Sequence, residues 1–318
     1  MKKEVLENDF LRVCVLPEYG AKIVEIWDKR VDYQWLWTDP SRPIRARSFG
    51  DNYADHDISG FDECFPNIGI SPYPLDNLKN LPDHGELWTN SWESERSDYT
   101  LTTFTHGRIA PYKFLRTLSL EEDVISIKYQ IENLGKSTLI GFWSAHPLFV
   151  AQEGMRIELD GNPQMTKEFG FSSRMGDDGD DGYKDHLRQF RWPETEDSSG
   201  HKHDISLISM VRPLTDKVVI QSPPDGKIRL LNPAYKCAIV FNFDSAQIPY
   251  VGICFNLNAW PFEGMKGCWV AIEPTQGATD RLDESLELGA SLGIPAGEKA
   301  HFGFNLSCEV LSPSHNKS

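Results

Sequence analysis

The chain has 318 residues, a formal net charge of −15 and 40% hydrophobic residues, a composition that can supply a sizeable core. Such an acidic chain is poorly suited to nucleic acid or to an anionic membrane surface, because both carry negative charge. No stretch approaches the roughly eighteen apolar residues of a membrane-spanning helix, so we expect no membrane partner.

The N-terminal residues and the cysteines bear on the compartment. The first ten residues contain two lysines but no apolar run behind them, which is unlike a secretory signal. The six cysteines form no C-x-x-C pair and are scattered along predicted strands, so we expect free, buried thiols. These features favour a reducing compartment, and we predict a cytoplasmic protein.

Alternation of apolar and polar residues with a period of two recurs along the chain and predicts strands. No stretch has a long helical period. Many strands with few helices indicate an all-β fold, a sandwich or a barrel. The predicted strands cover residues 10–16, 98–105, 114–120, 124–133, 216–221, 237–243, 250–257, 268–274 and 300–310.

Two long segments interrupt these strands. Residues 40–95 are rich in proline, aspartate and aromatic residues, and we interpret them as a loop that forms a site. Residues 150–203 are polar and acidic, and we interpret them as mostly irregular surface. Neither a linker nor an internal repeat is evident, so we predict one domain over residues 1–318.

Three acidic or histidine-rich runs raise the question of a metal ion. The run DDGDDG, within the acidic loop 176–185, resembles a calcium loop, but its twelfth position is Arg188, where an EF-hand has glutamate. The runs at 55–57 and 201–203 lack a partner motif with ligand spacing. We interpret the first as a solvated acidic loop and the other two as surface, with the run at 55–57 near the mouth of the pocket, and we predict neither a metal nor a cofactor.

The first candidate site residues along the chain lie in GFDECFPNI, where Asp62 and Glu63 stand between aromatic residues. Adjacent side chains on a strand point to opposite faces. At most one of these two carboxylates is then expected to line a pocket.

The next candidate is His84, in the segment LPDHGELW. Proline and glycine on either side predict a loop, and loops carry functional residues more often than strands do. A turn with a solvated histidine is the alternative.

His146 follows in LIGFWSAHPLF, where Pro147 ends an apolar strand. Its side chain can gain or lose a proton near neutral pH, which suits acid–base catalysis. The alternative is a core histidine whose hydrogen bonds are satisfied.

The last candidate is Glu273 in CWVAIEP, at the end of a strand on the same face as Trp269 and Ala271. A carboxylate partly shielded from water there would be a better base near neutral pH. A solvated glutamate at a strand end is the alternative.

Together these motifs resemble the aldose 1-epimerase, or galactose mutarotase-like, superfamily over most of the chain. The opening LENDFLRVCVLPEYGAKIVEIWDK is similar to the opening strands of the family, and WSAHPLF and AIEPTQG resemble its histidine and glutamate motifs. GFDECFPNI followed by LPDHGELWTNSW is nearest the branch that contains hexose-6-phosphate epimerases. Each motif is short, and their shared order carries the resemblance.

The resemblance implies a large antiparallel β-sandwich with a sugar site on its concave face. It implies that Glu273 takes the proton of the anomeric hydroxyl and that His146 protonates the ring oxygen, which opens the ring. It also implies that His84 hydrogen-bonds the sugar and that an aspartate holds sugar hydroxyls, for which Asp216 is the candidate.

The hexose-6-phosphate branch has two phosphate-binding arginines where this chain has Ser59 and Trp88. Because arginine is the preferred planar partner of phosphate, their absence and the acidic charge argue against a phosphosugar. Arg45 or Arg47 from the preceding loop could substitute. Trp88 and Trp260 could stack on a sugar, or pack in the core.

We therefore predict an aldose mutarotase that interconverts the anomers of a free hexose or related sugar. A hexose-6-phosphate 1-epimerase and a non-catalytic carbohydrate-binding protein on the same fold are the alternatives. The sequence leaves both a monomer and a homodimer open.

Overall fold

The computed structural model describes residues 2–168, 172, 174–175, 187–260 and 266–311, except for the side chains of 76–79. Strands dominate these ranges. A single short α-helix is described, α1 (Leu282–Glu287), together with two 3₁₀ helices, Tyr53–Asp55 and Leu87–Thr89. The strands are β1 (Glu4–Glu7), β2 (Leu11–Leu16), β3 (Lys22–Asp28), β4 (Tyr33–Gln34), β5 (Phe61–Cys64), β6 (Ser71–Tyr73), β7 (Asp76–Leu81), β8 (Glu93–Ser97), β9 (Thr100–His106), β10 (Tyr112–Glu121), β11 (Val124–Asn133), β12 (Leu139–Gly141), β13 (Ser144–Val150), β14 (Arg156–Leu159), β15 (Gln164–Lys167), β16 (Gln189–Arg191), β17 (Glu194–Glu196), β18 (Lys202–Asp204), β19 (Leu214–Gln221), β20 (Lys227–Asn232), β21 (Cys237–Phe243), β22 (Tyr250–Leu257), β23 (Cys268–Thr275), β24 (Leu292–Ile294) and β25 (Lys299–Val310).

Two large antiparallel sheets form the molecule. The first has the order β1-β2-β3-β5-β13-β23-β22-β19-β15-β16-β17-β18, with β4 added beside β3. The second has the order β14-β20-β21-β25-β11-β10-β9-β8. Two small pairs, β12 with β24 and β6 with β7, flank them. The predicted all-β sandwich is confirmed.

The core lies between the inner faces of the two sheets. Strand β10 shows how the sequence produces it, since its residues alternate between buried and partly exposed over its whole length. Phe61 of the first sheet packs near Phe304 of the second, with ring centroids 6.5 Å apart. Phe149 of the first sheet meets Phe241 of the second edge-on, with ring centroids 5.9 Å apart. Such contacts between rings from opposite sheets are the packing of a β-sandwich.

The prediction for residues 150–203 is wrong in part, because this stretch contains the strands β14 to β18. These strands are three or four residues long, and β16, β17 and β18 are mostly polar with exposed residues. Short polar strands show little alternation of apolar residues, so the sequence pattern missed them.

The six cysteines are free thiols, as predicted, and all but the half-buried Cys268 are buried. Across the described ranges, no helix has the length and apolar character needed to cross a bilayer.

Candidate active site

Neighbouring strands of the first sheet bring the candidate catalytic residues together. His146 lies on β13 and Glu273 on β23, and these two strands pair with each other. On the other side of β13, Asp62 of β5 is the cross-strand partner of His146. His146 Nε2 is 3.5 Å from Glu273 Oε1. The sheet thus places an imidazole beside a carboxylate that is 127 positions away in the chain.

Glu273 is nearly enclosed, with a side chain that is 1% exposed. Its Oε2 lies 3.1 Å from Lys217 Nζ, which in turn lies 2.8 Å from Asp280 Oδ1. Gly252, opposite Glu273 on β22, leaves room for this carboxylate, since a Cβ there would lie 2.6 Å from Oε2. The buried carboxylate is therefore compensated by a buried cation.

His146 is buried, and its pKa lies well below the usual value for histidine. Burial is the main cause, and the nearby charges of His84 and Lys217 act in the same direction. Its Nδ1 lies 3.5 Å from the hydroxyl of Tyr53, which donates a hydrogen bond of 3.0 Å to Asp62 Oδ2. Burial and the neighbouring cations therefore favour the neutral form of the His146 imidazole.

His84 occupies a strained loop at the edge of the site. Its φ of +57° lies in the left-handed region, which a residue other than glycine seldom adopts without a functional or structural reason. The ring stacks on Tyr53 with centroids 4.0 Å apart and meets His146 edge-on at 4.9 Å. Its Nδ1 is 2.8 Å from Asp83 Oδ1. The structure thus brings all three predicted catalytic residues into one cluster.

Asp83 is itself held in place. Its Oδ2 accepts a hydrogen bond from the Tyr53 backbone N–H, and its carbonyl oxygen accepts one from the Trp88 indole. Burial alone would raise the pKa of Asp83, but the charge and hydrogen bond of His84 lower it below its usual value.

Beside the histidines lies a cluster of four charged groups, which we call the Lys22 cluster: Lys22, Arg47, Asp57 and Asp62. Lys22 Nζ lies 2.7 Å from Asp57 Oδ2 and 3.0 Å from Asp62 Oδ2. Arg47 reaches Asp57 at 2.8 Å and Asp62 at 3.3 Å. Two cations face two carboxylates, so the cluster is electrically balanced. Arg47 therefore lies at the site, but its guanidinium is already engaged by carboxylates.

Aromatic side chains line the same region. Tyr53, Trp88 and Trp269 are buried there, and Trp37 and Trp260 pack against them partly exposed. Trp88 is fully buried, and Arg47 lies over its ring at 4.9 Å. Of the two tryptophans predicted to bind sugar, Trp260 is thus the more accessible.

Glu63 and Asp216 are predicted to bind substrate. In the structure, each lies on the face of its strand that points away from the histidine cluster. Glu63 accepts hydrogen bonds from Arg116, Tyr129 and Trp143 in the buried space between the sheets. Asp216 forms an ion pair of 2.6 Å with Arg174. The next residue of the same strand, Lys217, is the one whose side chain reaches Glu273.

Sequence reasoning missed Lys217, Tyr53 and Lys22. For Lys217 a signal existed, because strand alternation puts it on the face that Asp216 does not occupy. Lys22 stands in an apolar strand, where a buried lysine implies a carboxylate partner. Nothing in the local sequence singles out Tyr53.

Across the described residues, no group of three or more histidine, cysteine, aspartate or glutamate side chains could hold a metal ion. His203 pairs with Asp197 at 3.0 Å, and Asp57 is engaged in the Lys22 cluster. The acidic loop 176–185 lies outside the described residues.

Neither a protein-family model nor a curated protein matches this chain. Solved structures do. A galactose mutarotase related enzyme from Lactobacillus acidophilus is 15% identical, with a TM-score of 0.69 and 98% of both chains covered. A galactose mutarotase-like protein from Lactobacillus casei is 18% identical, with a TM-score of 0.64, and 97% of this chain and all of that chain are covered. One from Clostridium acetobutylicum is 13% identical, with a TM-score of 0.66 and 98% coverage of both chains. The fold is therefore the galactose mutarotase-like sandwich.

Proposed function

We propose that this protein is an aldose 1-epimerase that interconverts the α and β anomers of an unphosphorylated hexose or related sugar. The observation that carries the proposal is the buried cluster in which Glu273, paired with Lys217, lies 3.5 Å from His146 beside His84. Mutarotation moves one proton off the anomeric hydroxyl and one onto the ring oxygen. It needs a base and an acid that are held at the same hemiacetal.

Glu273 is the proposed base. It takes the proton from O1 as the C1–O1 bond becomes a carbonyl, the C1–O5 bond breaks, and O5 gains a proton from an imidazole of the His84 and His146 pair. Rotation about the C1–C2 bond and reclosure by the reverse steps give the other anomer. Positioned groups of this kind each contribute about 10²- to 10⁴-fold in rate.

The charges around the cluster support an unphosphorylated sugar. Lys22 and Arg47 are balanced by Asp57 and Asp62, and Lys217 lies between two carboxylates. A phosphate brought here would meet cations that carboxylates already neutralise. The fold and the motif resemblance support the choice of a sugar as the substrate.

The test measures anomer exchange by saturation-transfer NMR over a panel of glucose, galactose, mannose and the 6-phosphates of glucose and mannose. We expect exchange well above the buffer rate for at least one free hexose and a lower rate for its 6-phosphate. Glu273→Gln should lower kcat by about 10²-fold or more, because it removes the base and keeps the shape. Glu298→Gln, at an exposed surface glutamate, is the matched control and should retain full activity.

Three outcomes would count against the proposal. If no sugar exchanges faster than in buffer, the protein is not a mutarotase, and binding without exchange would favour the non-catalytic alternative. Preference for a 6-phosphate would favour the hexose-6-phosphate epimerase. Full activity of Glu273→Gln would remove Glu273 from the mechanism.

A further inference from the structure

Tyr53 contacts both histidines of the site, one with its ring and the other with its hydroxyl. From this arrangement we infer that Tyr53 is a positioning residue, which holds the Nδ1 proton of His146 and thereby presents Nε2 to the substrate. The inference rests on the proposed function and keeps for His146 the role of proton donor that the motif resemblance implies. It adds a residue that stands in none of the sequence motifs.

The proton of the Tyr53 hydroxyl is directed at Asp62. The hydroxyl donates a hydrogen bond of 3.0 Å to Asp62 Oδ2, and a carboxylate can only accept. Lys22 and Arg47 hold the same carboxylate in place at 3.0 and 3.3 Å. Burial, and after it the charge of Asp62, raise the pKa of Tyr53 well above its ordinary value, so the hydroxyl keeps its proton. The oxygen of Tyr53 is therefore an acceptor toward the rest of the site.

This acceptor lies on the Nδ1 side of His146. The distance from Nδ1 to the Tyr53 oxygen is 3.5 Å, at the outer limit of a hydrogen bond. Hydrogen bonds at catalytic sites are often long in the free enzyme and shorten in the complex with substrate. Because burial favours the neutral ring, His146 carries one proton, and that proton satisfies the Tyr53 oxygen only when it is on Nδ1.

The other side of the ring agrees with this assignment. Nε2 lies 3.5 Å from Glu273 Oε1, yet Oε1 is buried and has no hydrogen-bond partner among the described residues. An unprotonated Nε2 and a carboxylate oxygen are both acceptors, so they do not bond to each other. Both are thus left for the hydroxyl and ring oxygen of a hemiacetal.

In the proposed reaction, Nδ1 of His146 keeps its proton throughout. The protonated ring carries a second proton on Nε2, which passes to O5 as the C1–O5 bond breaks and its electron pair moves to O5. Glu273 takes the O1 proton, and the O1–H bonding pair forms the second bond of the aldehyde. Ring closure returns both protons. An acceptor fixed at Nδ1 orients the catalytic histidine of serine proteases in the same way.

Tyr53 is itself held from several sides. Its backbone N–H donates a hydrogen bond of 2.8 Å to Asp83, the residue that also pairs with His84. Its ring stacks on His84 with centroids 4.0 Å apart and meets Trp88 edge-on at 5.1 Å. A phenylalanine would keep all of these contacts and lose the hydroxyl alone.

Tyr53→Phe therefore tests the role of the hydroxyl. Tyr129→Phe is the matched control, since the Tyr129 hydroxyl donates to the buried carboxylate of Glu63 at 2.9 Å, away from the histidines. Long-range hydrogen–nitrogen NMR correlations of isotope-labelled histidine show, without any sugar, which nitrogen of His146 carries the proton. His146→Gln identifies the signals by their loss. Anomer exchange of glucose, galactose and mannose gives kcat and KM.

We expect the proton on Nδ1 of His146 in the wild type and in Tyr129→Phe, and a shift of the population toward Nε2 in Tyr53→Phe. Tyr53→Phe should lower kcat by about tenfold to 10²-fold and change KM by less than about twofold, because the hydroxyl orients a reacting group and does not bind the sugar. In a His146→Gln background the same substitution should cost little more, since the group that it positions is absent.

A wild-type proton on Nε2, or an unchanged proton position in Tyr53→Phe, would overturn the inference and leave the proposed function intact. Equal losses of kcat in Tyr53→Phe and Tyr129→Phe would also contradict it, because the effect would then be structural. A wild type that exchanges none of the sugars would refute the proposed function itself, and the proton position would still decide whether Tyr53 holds the His146 ring.

Discussion

At the scale of single residues, the position of Glu273 depends on a missing side chain. Gly252 lies directly across the strand pair, and a Cβ there would come within 2.6 Å of Glu273 Oε2. The Glu273 side chain therefore occupies the space that a larger residue at position 252 would take.

Gly252→Ala should displace the Glu273 carboxylate by a few tenths of an ångström or more and lower kcat by about tenfold to 10²-fold, because small misplacements of a reacting group are costly. Steady-state anomer exchange measures this effect, and near-UV circular dichroism confirms folding. Gly293→Ala is the matched control, since Gly293 is also a strand glycine but has only Thr138 Cγ2 nearby, at 3.7 Å. Unchanged activity of Gly252→Ala would show that the fit around Glu273 is loose.

The sequence could single out only candidate residues whose chemistry is visible within a short motif. His146 and Glu273 each stand before a proline at the end of an apolar strand, His84 stands before a glycine in a loop, and the structure brings the three together. Lys217 and Lys22 could not be assigned in this way. Their carboxylate partners lie far along the chain, such as Asp62 of β5 for Lys22 and Glu273 of β23 for Lys217, and only the folded sheet reveals them.

At the scale of elements, residues 35–60 are held against the sheet by the Lys22 cluster. Asp57 of this segment binds Lys22 of β3, and Arg47 of the same segment binds Asp62 of β5. Burial alone would raise the pKa of Asp57, but Lys22 and Arg47 lower it below its usual value. The prediction that residues 40–95 form a site depended on proline and aromatic composition, which cannot show this attachment.

The charge of Asp57 should contribute to stability in a pH-dependent way. Its pKa is lower in the folded chain than in the unfolded one, so the contribution is complete above the unfolded value of about 3.9 and is lost as pH falls through the folded value. The difference in urea midpoint between wild type and Asp57→Asn should then be large at pH 7 and should shrink as the pH approaches 3.

Asp9→Asn, at an exposed aspartate outside any ion pair among the described residues, should show little difference at either pH. A midpoint difference for Asp57→Asn that stays constant between pH 7 and pH 3 would contradict the role of the Asp57 charge. Trypsin cleavage after Arg45 at pH 7 should also be faster in Asp57→Asn, because the segment is released.

At the scale of the whole molecule, β5 separates two buried charge networks. Asp62 faces the candidate site, while its neighbour Glu63 faces the space between the sheets. There Glu63 receives hydrogen bonds from Arg116 and Tyr129 of the second sheet. The alternation of one strand thus divides site chemistry from the attachment of the two sheets, as the pair of adjacent carboxylates in the sequence had suggested.

Breaking the inner network should destabilise the fold without changing the chemistry. Glu63→Gln leaves the fully buried Arg116 without its carboxylate, which should lower the free energy of unfolding by about 3–5 kcal/mol. Adding Arg116→Met removes the uncompensated charge, so the double variant should recover part of this loss. Urea unfolding at pH 7 measures both, and the kcat of the folded fraction should stay near wild type, since Glu63 does not face the histidines. Equal stability of the single and double variants, or a large fall in kcat, would show that the two networks are not separated by β5.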